Sequence, residues 1–171
     1  MKKIGFGIAI ALLILSCFSA APAKTVDDNL CAANEKVIFS FKTTNSKTVS
    51  ICTAKDDSYI VYRFGTKNKV ELEFPENKAD SWEKFIFYHQ RGDASTMEQS
   101  GVNWYGEYLF FTNSGYKYEI YNVSSVKANG ETEEKVGINV TQLSTNKVTD
   151  IKGIPSSRKG DLSALAYILG Y

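Results

Sequence analysis

One five-residue segment, Ser114 to Tyr118, brings together side chains that could bind a partner by hydrogen bonds. It reads Ser-Gly-Tyr-Lys-Tyr, so a hydroxyl, an ammonium and a phenol follow one another around a glycine. An ammonium group such as that of Lys117 makes charge-assisted hydrogen bonds to carboxylates, and Gly115 permits a turn that other residues resist. Ser114 and Lys117 could therefore donate hydrogen bonds to a partner. The alternative interpretation is an ordinary Asn-Ser-Gly turn between two strands.

Two cysteines, Cys31 and Cys52, remain once the first 23 residues are removed as a secretory signal peptide, whose pattern is described below. Two cysteines in an exported domain allow a single pairing and predict one disulfide. Two free buried thiols are the alternative. A metal site is disfavoured, because two cysteines and one histidine without ligand spacing do not make a metal-binding motif.

No residue pattern indicates catalysis or a cofactor. His89 is the only histidine, and no Gly-x-Ser-x-Gly nucleophile motif accompanies it, so it is interpreted as structural or solvent-facing. Glu71 and Glu73 alternate with apolar residues on one strand, and the glutamates of residues 131–134 follow Gly130; both groups are interpreted as solvated surface. The sequence thus predicts no catalytic residue, no metal and no cofactor.

The N-terminus has the form of a secretory signal peptide. Lys2 and Lys3 precede an uncharged apolar stretch over residues 4–16, and Ala21-Pro22-Ala23 supplies the small residues of a cleavage site. The sequence therefore predicts a periplasmic or secreted protein whose signal peptide is cleaved after Ala23. The apolar stretch is too short for a spanning helix, which needs about 20 apolar residues. The alternative is a lipoprotein anchored through Cys17, since residues 14–17 resemble a lipobox.

Removal of 23 of the 171 residues leaves 148, the size of one domain, residues 24–171. The 20 basic side chains fall to 18 against 19 acidic ones, a net charge of −1. Such a chain has no broad positive field to attract nucleic acid or an anionic membrane. The mature domain also lacks a second long apolar run, so no membrane span is expected. With nucleic acid and membrane surfaces disfavoured, the expected partner is a protein.

Short apolar runs alternate with turn signals along the whole domain. They recur about every ten residues, which is typical of an antiparallel β-barrel or sandwich of about eight strands. Val70, Leu72 and Phe74 alternate with acidic residues and are expected to face inward. Asp161 is expected to cap a short C-terminal helix over residues 161–169. The expected strands cover residues 36–41, 48–52, 58–64, 70–74, 84–89, 105–112, 116–123, 136–140 and 148–151.

Seven aromatic residues crowd the hairpin centred on Ser114. Alternate residues of a strand face opposite sides of a sheet, so one half of the set is expected in the core. The other half would form a platform for a sugar or a protein if it were exposed. The set comprises Trp104, Tyr105, Tyr108, Phe110, Tyr116, Tyr118 and Tyr121.

The segment from Ser114 to Tyr118 has the form Ser-Gly-x-x-Tyr and resembles the motif of bacterial periplasmic and membrane-bound inhibitors of C-type lysozymes. In those small, exported, disulfide-containing β-barrels, the serine-glycine loop and the tyrosine enter the lysozyme cleft. The resemblance implies inhibition of a lysozyme through Ser114, Gly115 and Tyr118, with Lys117 as a nearby donor. These four are the candidate binding residues. The net charge of the chain gives this resemblance little support. Lysozymes are basic, and an inhibitor with a net charge of −1 attracts them only weakly.

More widely, the chain resembles a group of small exported β-barrel proteins of unknown function. The shared runs are residues 37–40, 47–52, 62–65 and 113–118. That group carries no agreed activity. The resemblance therefore also implies an alternative function, an envelope structural or protein-interaction role without inhibition.

Overall fold

The computed structural model describes residues 28–92, 98 and 101–170. The expected signal peptide, its cleavage site and Cys17 lie outside these residues. Within them, no helix is long and apolar enough to cross a membrane.

The first of two antiparallel sheets has five strands in the spatial order β10-β1-β2-β3-β4. Its central strands carry β-branched and aromatic residues, which pack well on a pleated surface. The strands are β1 (Glu35–Lys42), β2 (Thr48–Ala54), β3 (Ile60–Thr66), β4 (Lys69–Phe74) and β10 (Lys159–Gly160).

The second sheet also has five antiparallel strands, in the simple order β5-β6-β7-β8-β9. Its two longest members, β6 and β7, are 12 residues each and form the hairpin that carries the candidate binding residues. The strands are β5 (Ile86–Arg91), β6 (Val102–Asn113), β7 (Tyr116–Lys127), β8 (Thr132–Gln142) and β9 (Lys147–Lys152). Short 3₁₀ turns lie at Ser81–Lys84 and Pro155–Ser157, and an α-helix near the C-terminus, here called α1, spans Ala164–Leu169.

The all-β prediction is confirmed, but the described chain is a pair of open sheets rather than a closed barrel. The sheets approach each other at one corner, where Thr43 forms an isolated antiparallel bridge to Gly153. The described residues form ten strands, where about eight were expected. One strand that the sequence missed is β10, which is too short to show a periodic pattern.

The hydrophobic core lies between the two sheets and is closed at one end by α1. Leu162 and Leu165 are fully buried there, which confirms that the C-terminal segment covers the core. The residues that fill the centre include Phe39, Phe41, Val49, Ile51, Ile60, Tyr62, Leu109, Phe111, Ile120 and Ile138.

One detail of the strand prediction was wrong. Val70 was expected to face inward, yet its side chain is 43% exposed. The pairing of β3 with β4 shifts register between Phe64 and Gly65, and such a bulge breaks the alternation at the start of β4. Leu72 and Phe74, farther along, do pack against the core.

The C-terminal helix also begins later than expected, at Ala164 rather than Asp161. The Asp161 carboxylate accepts a hydrogen bond from the Ser163 amide at 2.9 Å. This turn precedes the helix, so Asp161 is not its N-cap. Its side chain instead contacts sheet residues, as described below.

Candidate functional site

The candidate binding segment lies at the tip of the β6–β7 hairpin. Asn113 and Tyr116 pair across a two-residue turn made by Ser114 and Gly115. Both turn residues have positive φ, 50° and 79°, the pattern of the type I′ turn that matches the twist of a hairpin. Ser114 and Gly115 are exposed, and the Ser114 hydroxyl donates to Asn113 Oδ1 at 3.2 Å. The turn is therefore a defined, accessible projection.

The tip is braced from the side by the next turn of the same sheet. The amide of Leu143 donates to the carbonyl of Gly115 at 3.0 Å. Leu143 is itself 48% exposed. The accessible tip thus includes an apolar side chain next to the serine-glycine turn.

Lys117 and Tyr118 diverge, because they are neighbours on one strand and face opposite sides of the sheet. The Lys117 ammonium lies 4.4 Å from the centre of the Phe110 ring on the outer face. The Tyr118 ring faces inward and stacks on Phe111, with 4.6 Å between ring centres and 5° between planes. Ser114, Gly115 and Lys117 are therefore accessible, while Tyr118 is half-buried against the core.

Tyr118 also lines an apolar cleft of about 370 Å³ between the two sheets. The cleft opens where β4 and β9, the edge strands of the two sheets, leave the core uncovered. Phe64 and Leu72 form one wall, and Val140 and Ile151 form the other. Tyr118 thus belongs to the sandwich interior more than to the hairpin tip.

The Cys31–Cys52 disulfide is confirmed. It joins the N-terminal segment to β2, with 5.6 Å between the Cα atoms. A Glu35 oxygen and the two sulfur atoms lie within 4.8 Å of one another. Both sulfurs are in the disulfide and are not thiolates, the form of cysteine that ligates metals.

A buried ion-pair cluster stands beside the disulfide and was missed by sequence reasoning. Arg63 on β3 donates to both Glu35 oxygens, at 2.5 and 3.0 Å, and to Glu73 at 2.7 Å. Burial opposes ionisation of Glu35, but the Arg63 guanidinium and the Ala32 amide lower its pKa to about 2. Glu73 is therefore a structural partner of a buried arginine, which corrects its interpretation as solvated surface.

A second polar cluster occupies the inner face of the second sheet, next to the segment that precedes α1. Glu107 on β6 is almost fully buried, with 2% of its surface exposed. It accepts hydrogen bonds from Asn122 at 2.9 Å and from the Tyr105 hydroxyl at 3.2 Å, and it is hydrogen-bonded to Asp161. Arg158 donates to Asn122 at 2.6 Å. One signal in the sequence could have indicated this cluster: residues 105, 107 and 109 alternate along β6 and so share the face that points to the core.

His89 pairs in register with Glu107 across β5 and β6 but is exposed. Its ring lies 6.3 Å from that of Tyr105. Of the carboxyl pair, Glu107 is buried whereas Asp161 is exposed at the surface. His89 accordingly keeps its interpretation as a solvent-facing residue.

No known protein family matches this chain, and no curated protein or solved structure is significantly similar to it. The resemblance of the Ser114 segment to lysozyme inhibitors therefore stays a prediction. The function is inferred below from the chemistry of the surfaces that the fold presents.

Proposed function

We propose that this protein is an exported binding module without catalytic activity, which engages a partner protein through the tip of the β6–β7 hairpin. The most specific version of this proposal is inhibition of a lysozyme. The observation that carries the proposal is the exposed Ser114-Gly115 turn at the end of the two longest strands. A turn on such a pair of strands is held in one conformation, which limits the entropy lost on binding.

The tip offers hydrogen-bond donors to a cleft that contains carboxylates. Ser114 supplies a hydroxyl, and the exposed Lys117 supplies an ammonium that lies over the Phe110 ring. Donors of this kind bind ionised carboxylates more strongly than neutral acceptors. Glycosidases that cleave sugar chains carry a pair of such carboxylates, so the donors of the tip match the chemistry of a lysozyme cleft.

Tyr118 takes a different role in this proposal from the one that the resemblance implies. Its ring stacks on Phe111 and lies near Tyr62, with 6.3 Å between ring centres. Tyr118 therefore anchors the base of the hairpin to the core. Its removal is expected to loosen the turn rather than to delete a contact with the partner.

The experiment is an inhibition assay of the purified protein against C-, G- and I-type lysozymes at low and moderate salt. The double variant Ser114→Ala with Lys117→Ala should weaken inhibition about ten- to a hundred-fold, since a lost charge-assisted hydrogen bond costs ~1.5–3 kcal/mol. Tyr118→Phe, which keeps the stacked ring, is the matched control and should inhibit normally. Absence of inhibition of all three types at micromolar concentration would refute the lysozyme form.

The second candidate is an envelope structural or protein-interaction protein with no inhibitory activity. The half-burial of Tyr118 favours it, because a tyrosine packed on the core explains the Ser-Gly-x-x-Tyr pattern without a partner. Under this alternative, Tyr118→Ala lowers the free energy of unfolding while Ser114→Ala changes no measured binding. A pull-down with the purified protein from envelope extracts would then identify the partner.

A further inference from the structure

The outer face of the second sheet carries a set of aromatic rings, here called the aromatic platform: Tyr88, Trp104, Tyr108, Phe110 and Tyr121. Tyr88, Tyr108 and Tyr121 stand in one row across three neighbouring strands, directly opposite one another in register. Ring centres of Tyr88 and Tyr108 are 6.0 Å apart, and those of Tyr108 and Phe110 are 6.2 Å apart. Tyr88, Tyr108 and Phe110 therefore form one contiguous group of rings, and Trp104 and Tyr121 lie on the same face of the sheet.

Three glycines leave space that rings of the platform occupy. A Cβ at Gly92 would lie 2.8 Å from the Trp104 ring, one at Gly106 would lie 2.8 Å from the Tyr108 ring, and one at Gly137 would lie 2.5 Å from Tyr121 Cζ. Each ring thus covers the space that a side chain would fill, a known device for protecting glycine in strands. The three rings are therefore held against the backbone of the sheet.

The platform is accessible on its outer side. Tyr88 is 46% exposed and the adjoining Ile86 is 68% exposed, while the remaining rings are half-buried by one another and by the glycine positions. The inner side of the same strands is core, since Phe87 and Leu109 are buried. Contiguous exposed apolar surface of this kind marks an interaction site.

The charges around the platform nearly balance. Seven charged side chains occupy outward positions of β7, β8 and β9, four of them basic and three acidic. Two of the acidic ones are hydrogen-bonded to neighbours, Glu119 to Asn139 and Asp150 to Tyr121, and Lys127 is paired with Glu131. Nucleic acid strands are bound by stacking together with a positively charged groove, which the described residues of this face lack. The seven are Lys117, Lys127, Lys135, Lys152, Glu119, Glu133 and Asp150.

We propose that the aromatic platform binds a neutral polysaccharide made of β-linked pyranose units. In such a chain the hydroxyls lie around the edge of each sugar and the C–H groups cover its two faces, so the chain is a flat ribbon with apolar faces and polar edges. The accessible surfaces of the rings match the apolar faces of the sugars. The polar groups that border the rings, Gln90 and Asn139 among them, match the edges, and the nearly balanced charge matches a neutral ligand.

The test is a titration of the purified protein with cellohexaose and chitohexaose. Binding is monitored by tryptophan fluorescence and by calorimetry. Saturable binding of at least one β-linked hexaose is expected. The α-linked maltohexaose, which coils instead of forming a flat ribbon, should bind much more weakly. Tyr88→Ala and Tyr108→Ala should each weaken binding about tenfold, because each removes one stacked ring.

The matched control is Tyr167→Ala, which removes an exposed tyrosine, 90% accessible on α1 and remote from the platform. This variant should leave binding of the β-linked hexaoses unchanged. Ser114→Ala, at the hairpin tip and away from the platform, should also leave it unchanged and so separates this proposal from the proposed function. Tyr88 stands on an edge strand, so its variant should fold even if Tyr108→Ala does not. Four results would overturn the proposal: no saturable binding of either β-linked hexaose at millimolar concentration, equal binding of maltohexaose, tighter binding of single-stranded oligonucleotides, or a self-association that Tyr88→Ala abolishes.

Discussion

Glu107 on β6 and Asp161 before α1 are joined through a hydrogen bond between their carboxyl groups. Burial raises the pKa of Glu107 to about 7, and the neighbouring Asp161 adds to this rise. Burial opposes ionisation of Asp161 as well, but hydrogen bonds from the Ser163 amide and from Glu107 lower its pKa. The proton therefore resides on Glu107 and ties the C-terminal segment to the second sheet.

The first prediction is that stability falls as pH rises from about 4.5 to above 7. The folded state holds the Glu107 proton in this window and the unfolded state has lost it, so the free energy of unfolding decreases with pH. A rise in pKa from 4.5 to about 7 corresponds to ~3 kcal/mol in total. Urea unfolding at pH 5 and pH 8 measures it. Glu107→Gln should remove most of the slope and Glu119→Gln should not; an unchanged slope in Glu107→Gln would contradict the assignment.

The second prediction concerns the disulfide that links Cys31 to Cys52. Cys52→Ala should lower the free energy of unfolding by ~2–4 kcal/mol, because the bond restricts the unfolded chain between two positions 21 residues apart. Chemical unfolding with and without reductant measures the loss, and reduction of the unmodified protein should reproduce it. Alkylation of both cysteines in the denatured, unreduced protein would show that the bond is absent from the natural product.

The third prediction concerns the buried ion pair of Glu35 and Arg63. Glu35→Gln should cost about 3–5 kcal/mol, because it leaves the Arg63 charge buried with one carboxylate fewer. Glu71→Gln is the control: Glu71 pairs with Lys47 on the surface, where such a pair contributes less than about 1 kcal/mol. Denaturant midpoints of the two variants give the comparison. Equal losses would mean that burial does not strengthen the Glu35 pair.

The same pair predicts acid sensitivity in the opposite direction from Glu107. The pKa of Glu35 is lowered to about 2, so its stabilisation is complete above the ordinary pKa of 4.5 and is lost as pH falls toward 2. Stability should thus peak between the two windows, near pH 5. Glu35→Gln should flatten the acid side of this profile and leave the alkaline side unchanged.

The fourth prediction concerns the turn at the hairpin tip. Ser114 and Gly115 both have positive φ, and Asn-Gly is the pair that favours this turn type. Ser114→Asn should therefore raise the free energy of unfolding by about 0.5 kcal/mol, while Gly115→Ala should lower it by about 1 kcal/mol. Thermal unfolding of both variants measures the difference. A loss of stability in Ser114→Asn would contradict the assigned turn geometry.

The fifth prediction is the mature N-terminus. The basic, apolar and small-residue segments of the first 23 residues predict cleavage before Lys24 and no lipid. Intact-mass and N-terminal sequencing of the natural product decide it. A diacylglyceryl group on Cys17 would instead show a membrane-anchored lipoprotein.

Features that depend on near neighbours could be read from the sequence. The strands follow from alternation over five to eight residues, and the Ser114-Gly115 hairpin follows from turn chemistry between two apolar runs. The disulfide followed because two cysteines allow one pairing. The arrangement in two open sheets did not follow, since alternation predicts strands but does not say whether the last strand pairs with the first to close a barrel.

The sequence by itself therefore determined the all-β class, the hairpin and the Cys31–Cys52 pair. Only the tertiary structure decided which half of the aromatic set is core, why Val70 points outward and how Glu107 meets Asp161. Each of these depends on strand register and on which face of a sheet meets the other sheet. Register is set by pairing between residues far apart in the chain, and a bulge of one residue moves every later side chain to the opposite face.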